Sequence, residues 1–331
     1  MSPKNHTEPR LHEIHQWLNQ VLNTTDYHCE PASSDASFRR YFRVSLKGET
    51  WVLMDAPPSQ EDIQPFIDIA SFLYQNNVHV PEIKAQDLSL GFVLLSDFGH
   101  KAYLDEFNHD LNSVDTLYPA AIDSIVMMQL SQPTSLPSYN RNLLQQELSL
   151  FPDWFLGKHL GIETPDFLQN IFDILINNAL EQEQVFVHRD YHSRNLMNTT
   201  DNSPGIIDFQ DAVIGPISYD LVSLLRDCYI SWSDDKVASW IAYYVEQAQQ
   251  HDLLNTISVT QFTRWFDLMG LQRHIKVLGI FCRLKYRDGK DNYINDLPLT
   301  LHYAVKISKK YPEFNQLHGF LINHPQINTI L

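Results

Sequence analysis

The sequence predicts an α+β protein of two lobes around a cleft, a small strand-rich lobe over residues 1–98 and a larger, mainly helical lobe over residues 99–331. Three observations carry that reading. Residues 38–54 alternate with the period of strands, and beyond about residue 100 apolar residues recur with the period of helices. The stretch His188-Arg189-Asp190-Tyr191-His192-Ser193-Arg194-Asn195, followed by Asp208-Phe209-Gln210-Asp211, interrupts those helices with a polar loop and a short hairpin.

Leu11, Ile14, Trp17, Leu18, Val21 and Leu22 recur at helical spacing, which predicts an amphipathic helix over 9–22 laid against the first lobe. The period then changes. Phe38, Arg40, Phe42 and Val44 alternate with Arg39, Tyr41 and Arg43, Lys47-Gly48 makes a turn, and Thr50 to Met54 returns as the second arm of a hairpin. Residues 62–74 read as a helix through Ile63, Phe66, Ile67, Ala70 and Leu73, and Gly91 to Leu95 as a buried strand. Ser96-Asp97-Phe98-Gly99 closes the lobe as a hinge. Helices are predicted over 114–131, 165–182, 217–229, 235–249, 260–281 and 295–308.

With 331 residues and 44% hydrophobic content, the chain is long enough for one large or two modest cores. Its 24 Lys and Arg against 40 Asp and Glu give a net charge of −16. Such a balance opposes phosphate backbones and anionic lipid, so neither nucleic acid nor membrane is expected as a partner. The N-terminal residues lack the apolar core of a signal peptide, and no run reaches the roughly eighteen apolar residues of a membrane span. Cys29, Cys228 and Cys282 lack the paired spacings of zinc or redox sites. A cytoplasmic, monomeric protein with reduced thiols is the expectation.

The polar loop has the parts that phosphoryl transfer requires. That reaction needs a carboxylate to accept the attacking hydroxyl's proton and oxygen ligands for the magnesium that neutralises the phosphates. The spacing H-R-D-x-x-x-x-N puts Asp190 and Asn195 on one loop, and the hairpin through Leu196-Met197 and Gly205-Ile206-Ile207 is expected to return Asp208 to them. Asp190 is then the base, and Asn195 and Asp208 the metal ligands. Gln210 and Asp211 follow the metal ligand and are expected beside the acceptor.

These residues resemble the kinase-like phosphotransferase superfamily, and within it the aminoglycoside phosphotransferase branch, which acts on small molecules. Asp208-Phe209-Gln210-Asp211 stands where protein kinases carry D-F-G, and Gly215-Pro216-Ile217-Ser218-Tyr219-Asp220-Leu221 follows without a long activation segment. The resemblance implies ATP and Mg2+ as cofactors and a protein-kinase-like fold. It also implies that His188 packs inward to hold the catalytic loop, that Asp220 accepts hydrogen bonds from that loop, and that the backbone at Ser96 and Phe98 contacts the adenine edge.

The first lobe departs from the family pattern. Ser33-Ser34-Asp35-Ala36-Ser37 replaces a Gly-rich turn, and Trp51-Val52-Leu53-Met54-Asp55-Ala56-Pro57-Pro58 carries no lysine. Ser34, Asp35 and Ser37 are the candidates for approaching phosphate. A substitute cation is expected among Arg39, Arg40 and Arg43, with Arg40 favoured if Val44 lies over the adenine. Together with Gln272 to Phe281, these features are similar to the bacterial anomeric kinases that phosphorylate N-acetylmuramate and N-acetylglucosamine at C1 in cell-wall recycling. That resemblance implies an amino sugar as the small-molecule partner. Arg273, Lys276, Arg283, Lys285, Arg287 and Lys290 stand against the single Asp288, a cationic run suited to the lactyl carboxylate of N-acetylmuramate rather than to a polycationic aminoglycoside. Arg226 and Arg273 are the arginines expected to touch the sugar, with Asp227 and Trp232 as further contacts.

Overall fold

A computed structural model describes residues 7–34, 39–133 and 135–331. They gather into two compact units. The first holds the described residues up to His100 together with Thr199–Gln210, and the second holds Lys101–Asn198 and Asp211–Leu331. The architecture is α+β.

In the first unit, helix α1 (Thr7–Leu22) precedes strands β1 (His28–Ser34), β2 (Arg40–Leu46) and β3 (Glu49–Asp55). Helix α2 (Gln64–Gln75) and strands β4 (Ile83–Asp87) and β5 (Phe92–Ser96) follow. The five strands form one antiparallel sheet in the order β1-β2-β3-β5-β4. Lys47 and Gly48, at φ 51 and 90, form the two-residue turn between β2 and β3. Positive φ at both central positions matches the right-handed twist of the strands, and Gly48 takes it without steric cost.

The register decides which side chains share a face. Val44 pairs with Trp51, Phe42 with Leu53, Arg40 with Asp55, and Leu53 in turn with Leu94. Phe42, Val44, Leu53, Phe92 and Leu94 pack against Ile14, Trp17 and Leu18 of α1, so that helix covers this face. Arg10 of α1 and Arg40 both grip the fully buried Asp55, with Nε to carboxylate distances of 2.9 and 2.8 Å. A buried carboxylate between two guanidiniums is compensated, and it fixes α1 to the end of the sheet.

In the second unit, helices α3 (Tyr103–His109), α4 (Val114–Leu130) and α5 (Arg141–Leu148) lead into a π-helix, Phe151–Leu160, and then α6 (Leu168–Leu180). Strand β6 (Gln184–Val187) pairs antiparallel with β7 (Val213–Pro216), and α7 (Tyr219–Leu225) follows directly. Helices α8 (Asp234–Gln250), α9 (Val259–Asp288), α10 (Leu297–Lys310), α11 (Asn315–Asn323) and the short α12 (Pro325–Asn328) complete the unit. No helix among the described residues is long and apolar enough to cross a membrane.

Helix α9 is the spine of this unit. Ser258 caps its first turn by accepting from Gln261 N–H, and Gly289 at φ 69 ends it. Its residues from Trp265 to Gly279 are buried without a break, as expected of a helix enclosed by neighbours on every side. Gly279 lies against the backbone of Leu150, just before the π-helix. A Cβ there would fall 2.3 Å from the Leu150 carbonyl carbon and 2.4 Å from its oxygen. Since neither backbone can yield alone, Gly279→Ala is expected to destabilise the fold by about 1–3 kcal/mol, the usual cost of overpacking. Urea unfolding measures this, and an unchanged midpoint would contradict the close approach.

Candidate active site

The loop carrying Asp190 hangs between β6 and α7 and is held by donors and acceptors from its own unit. Asp220, buried in the first turn of α7, accepts from His188 N–H at 2.7 Å and from Arg189 N–H at 3.0 Å, one on each carboxylate oxygen. Burial pushes its carboxyl up to about 7 against the pull of these two amides. His188 is fully buried edge-on to Tyr191, and its Nδ1 lies 3.3 Å from Asp190 N–H. Tyr191 donates its hydroxyl to Ala121 O in α4 at 2.9 Å. Asp227 accepts from Ser193 N–H at 3.0 Å and from its hydroxyl at 2.5 Å. Asn195 donates Nδ2–H to Asp190 O at 3.0 Å, which folds the loop on itself.

Arg189 takes φ 77, a left-handed conformation that an arginine adopts only where its surroundings impose it. Those surroundings are Asp220 at its amide and Glu147 at its guanidinium. Glu147 also accepts from Tyr139 and forms an ion pair with Lys276 at 3.3 Å, and Lys276 Nζ donates to Tyr219 OH at 2.6 Å. Burial opposes the charge of Glu147, but Lys276 and Arg189 hold its carboxyl below the usual range. Asp190 sits in the same field. Burial works against its charge too, yet His192, Lys276, Arg273 and His188 together keep it below its ordinary value of 3.8. It is therefore a carboxylate at neutral pH, able to receive a proton.

The Asp208 turn belongs to the first unit. Asp208 takes φ 68, and Gln210 Nε2 donates to its Oδ1 at 2.7 Å. Phe209 is fully buried and stacks on Phe66 of α2, ring centroids 5.0 Å apart. Asp211 is exposed, and its carbonyl accepts from Arg189 Nη1 at 3.3 Å.

Several expected contacts fall elsewhere. Asp35 and Ser37 lie outside the described residues, and Ser34 is placed as the last residue of β1, paired with Arg40. Arg40 was favoured on the condition that Val44 lies over the adenine; in the structure Val44 is buried against α1, and Asp55 engages Arg40. Ser96 spends its hydroxyl on Glu82 N–H at 2.9 Å, while Phe98 packs against His79 and the Cα of Gly205. Arg43 staples the segment between them, reaching Asp97 at 2.6 and 2.9 Å and Gly99 O at 2.7 Å.

Arg226 turns inward to Asp267 and lies over Phe266, and Trp232 donates to Tyr118 OH inside an aromatic cluster with Phe107 and Trp240. Both are core contacts. Arg273 differs: it is 3% exposed, has no carboxylate within ion-pairing distance among the described residues, and reaches Cys228 Sγ only at 3.6 Å. Burial works against its charge, and Cys228, Tyr219, Asp190 and Asp227 sustain it. Glu147 was not singled out from the sequence, because its charged partners, Arg189 and Lys276, are remote along the chain. Asp227 emerges as a support of the loop.

A five-stranded antiparallel sheet, a helical unit built on α9 and a loop of this construction define a phosphotransferase of the protein-kinase-like fold. The chain belongs to the phosphotransferase enzyme family, whose profile matches residues 28–256. It is 43% identical over 323 residues to the N-acetylmuramate/N-acetylglucosamine kinase of Pseudomonas putida, covering 93% of this chain and 94% of that protein. Over 301 residues it is 44% identical to the Pseudomonas aeruginosa protein of the same name, covering 89% and 88% respectively. Among solved structures, a Plasmodium vivax ethanolamine kinase aligns with a TM-score of 0.66 at 13% identity, covering 93% of this chain and 89% of that one. The ADP-bound aminoglycoside phosphotransferase APH(2'')-Ib aligns at 0.59 with 15% identity, covering 89% and 98%. At these identities the structural matches show the fold alone.

Proposed function

We propose that the chain is an ATP-dependent kinase that phosphorylates the anomeric C1 hydroxyl of N-acetylmuramate, N-acetylglucosamine or both, in the cytoplasm, within peptidoglycan recycling. The observation that carries the reading is Asp190, a carboxylate kept ionised by buried cations on a loop pinned at both flanks. The names of relatives at 43% and 44% identity support the choice of sugar.

In this reading the sugar O1 forms a bond to the γ-phosphorus as the bond from phosphorus to the β,γ-bridging oxygen breaks. The O1 proton passes to Asp190 and ADP leaves. The anomeric hydroxyl is more acidic than an ordinary sugar alcohol because the ring oxygen withdraws electron density, so a carboxylate with a low pKa can take its proton late in a loose transition state. Asn195 and Asp208 are the proposed ligands of Mg2+, a hard cation that needs only one or two protein oxygens besides water and phosphate. When bound, that ion supplies charge neutralisation for the phosphates. Gln210 holds the Asp208 carboxylate in place, and Asp211 stands exposed where it can receive a sugar hydroxyl.

Arg273 is the proposed partner of the lactyl carboxylate, since a buried guanidinium without an ion pair is costly until an anion meets it. A polycationic aminoglycoside would instead be repelled by Arg273 and Lys276. The test is a blocked acceptor. The 1-O-methyl glycoside of N-acetylglucosamine is expected to give no phosphorylated product by mass spectrometry, while the free sugar gives a 1-phosphate whose anomeric proton couples to phosphorus in NMR. Phosphorylation of the glycoside at a comparable rate would return another hydroxyl to first place.

A further inference from the structure

We infer that Arg39, paired with Glu61 and seated on Phe66, is the cation of the first unit that meets the nucleotide's phosphates, in place of the absent strand lysine. The inference rests on the kinase reading above and concerns residues of one unit only.

Among the described residues of this unit, the other cations are held away from the β1–β2 connection or against the face that α1 covers. Arg10 and Arg40 are both committed to Asp55 on the face that α1 covers. Arg43 is committed to Asp97 and Gly99. Lys84 pairs with Glu82 on the edge strand β4, and Lys47 sits at the hairpin tip, at the far end of β2 from the β1–β2 connection. Arg39 stands at that connection, where the small residues 33–37 were expected to approach phosphate. It precedes β2 and continues the alternation of Tyr41 and Arg43, opposite to the face of Phe42 and Val44.

Arg39 is also tied to the Asp208 turn. Its guanidinium carbon lies 5.9 Å from the centroid of Phe66, and Phe66 stacks on Phe209, the residue after Asp208. One chain of contacts, from Arg39 through Phe66 to Phe209, therefore links this guanidinium to the residue next to Asp208. Arg39 is 8% exposed, and its Nη2 donates to Glu61 Oε1. Burial opposes its charge, while Tyr41 and Glu61 sustain it. In kinase-like enzymes a basic side chain paired with a helix carboxylate positions the nucleotide phosphates, and here Glu61, in the segment just before α2, pairs with Arg39. Arginine suits it, because a guanidinium presents five donors in a fixed fork that matches phosphate oxygens two at a time.

Calorimetry on the full chain separates phosphate recognition from packing by comparing Mg-ATP with adenosine. Arg39→Gln is expected to weaken Mg-ATP by about 10- to 100-fold, as loss of hydrogen bonds to a charged group implies. Adenosine affinity should stay unchanged. Arg39→Lys, which keeps the charge but not the fork, is expected to fall between, and Arg40→Gln to stay within about twofold of wild type. Equal Mg-ATP affinity in Arg39→Gln and wild type would overturn the inference. So would a parallel loss of adenosine, which would mark a packing role. If Arg39→Gln fails to fold by circular dichroism, Arg39→Lys decides: an unchanged ratio of the two affinities refutes the assignment. Failure of the wild type to bind Mg-ATP would instead defeat the kinase reading itself.

Discussion

Replacing Asp190 by Asn is expected to lower kcat by about 10²- to 10⁴-fold, the usual cost of losing a general base. Affinity for nucleotide should barely change, because the residue receives a proton and does not hold the metal. The substitution conserves shape, and no hydrogen bond to the carboxylate among the described residues has to be replaced for the loop to fold. Its backbone contacts remain with His188 and Asn195. The wild-type enzyme adds a pH signature. The carboxyl lies below its ordinary value of 3.8, so its ability to accept a proton is retained throughout the neutral range and is lost only as pH falls through that lowered value. Turnover measured by coupled ADP release checks the first point and calorimetry the second. A variant that keeps more than about a tenth of the rate removes Asp190 from the mechanism.

The second large effect is expected at a residue that touches no reactant. Asp220→Ala removes the acceptor of two loop amides at once, the buried one of His188 and the part-buried one of Arg189. Each orphaned buried donor costs about 1–3 kcal/mol. Arg189 is held in a left-handed conformation, so the loop has a ready way to relax once its amide is released. We expect a lower thermal midpoint together with a fall in kcat of about 10²-fold, the scale of a 1 Å misplacement of a catalytic group. Substrate KM should move far less. A variant with reduced stability and normal kcat would show that α7 stabilises the unit without positioning the loop.

The candidate site stands out in the sequence more than the scaffold around it. Asp190, Asn195, Asp208 and Asp220 declare themselves because their spacing is short and their residue types are few. The helix α1 and the hairpin of β2 and β3 were legible from period alone. Strands β1 and β4 were not, and both are edges of the sheet. An edge strand satisfies one ladder only and is half solvated, so β1 tolerates Pro31 beside a break in register, and β4 shows only Ile83 and Ala85 among polar neighbours. The π-helix leaves no local signature.

The covered face of β2 escapes the sequence for a different reason. Alternation tells that Arg40, Phe42 and Val44 point one way, but the side that is covered depends on where α1 docks, a contact between residues such as Leu18 and Val44 far apart in sequence. Arg226 and Arg273 illustrate the same limit within one region of the second unit. Both are buried arginines, and only the placement of Asp267 makes one a core ion pair and leaves the other without a carboxylate.

The membership of Thr199–Gln210 in the first unit bears on how the chain is made. When His100 leaves the ribosome, every strand of the five-stranded sheet already exists, yet Phe66 still lacks Phe209, and Gly205 has not arrived against Phe98. The first unit is finished only after about half of the second has been synthesised. A fragment cut after His100 therefore exposes an aromatic surface to solvent, and the nascent sheet must wait, or be shielded, until the returning segment seals it.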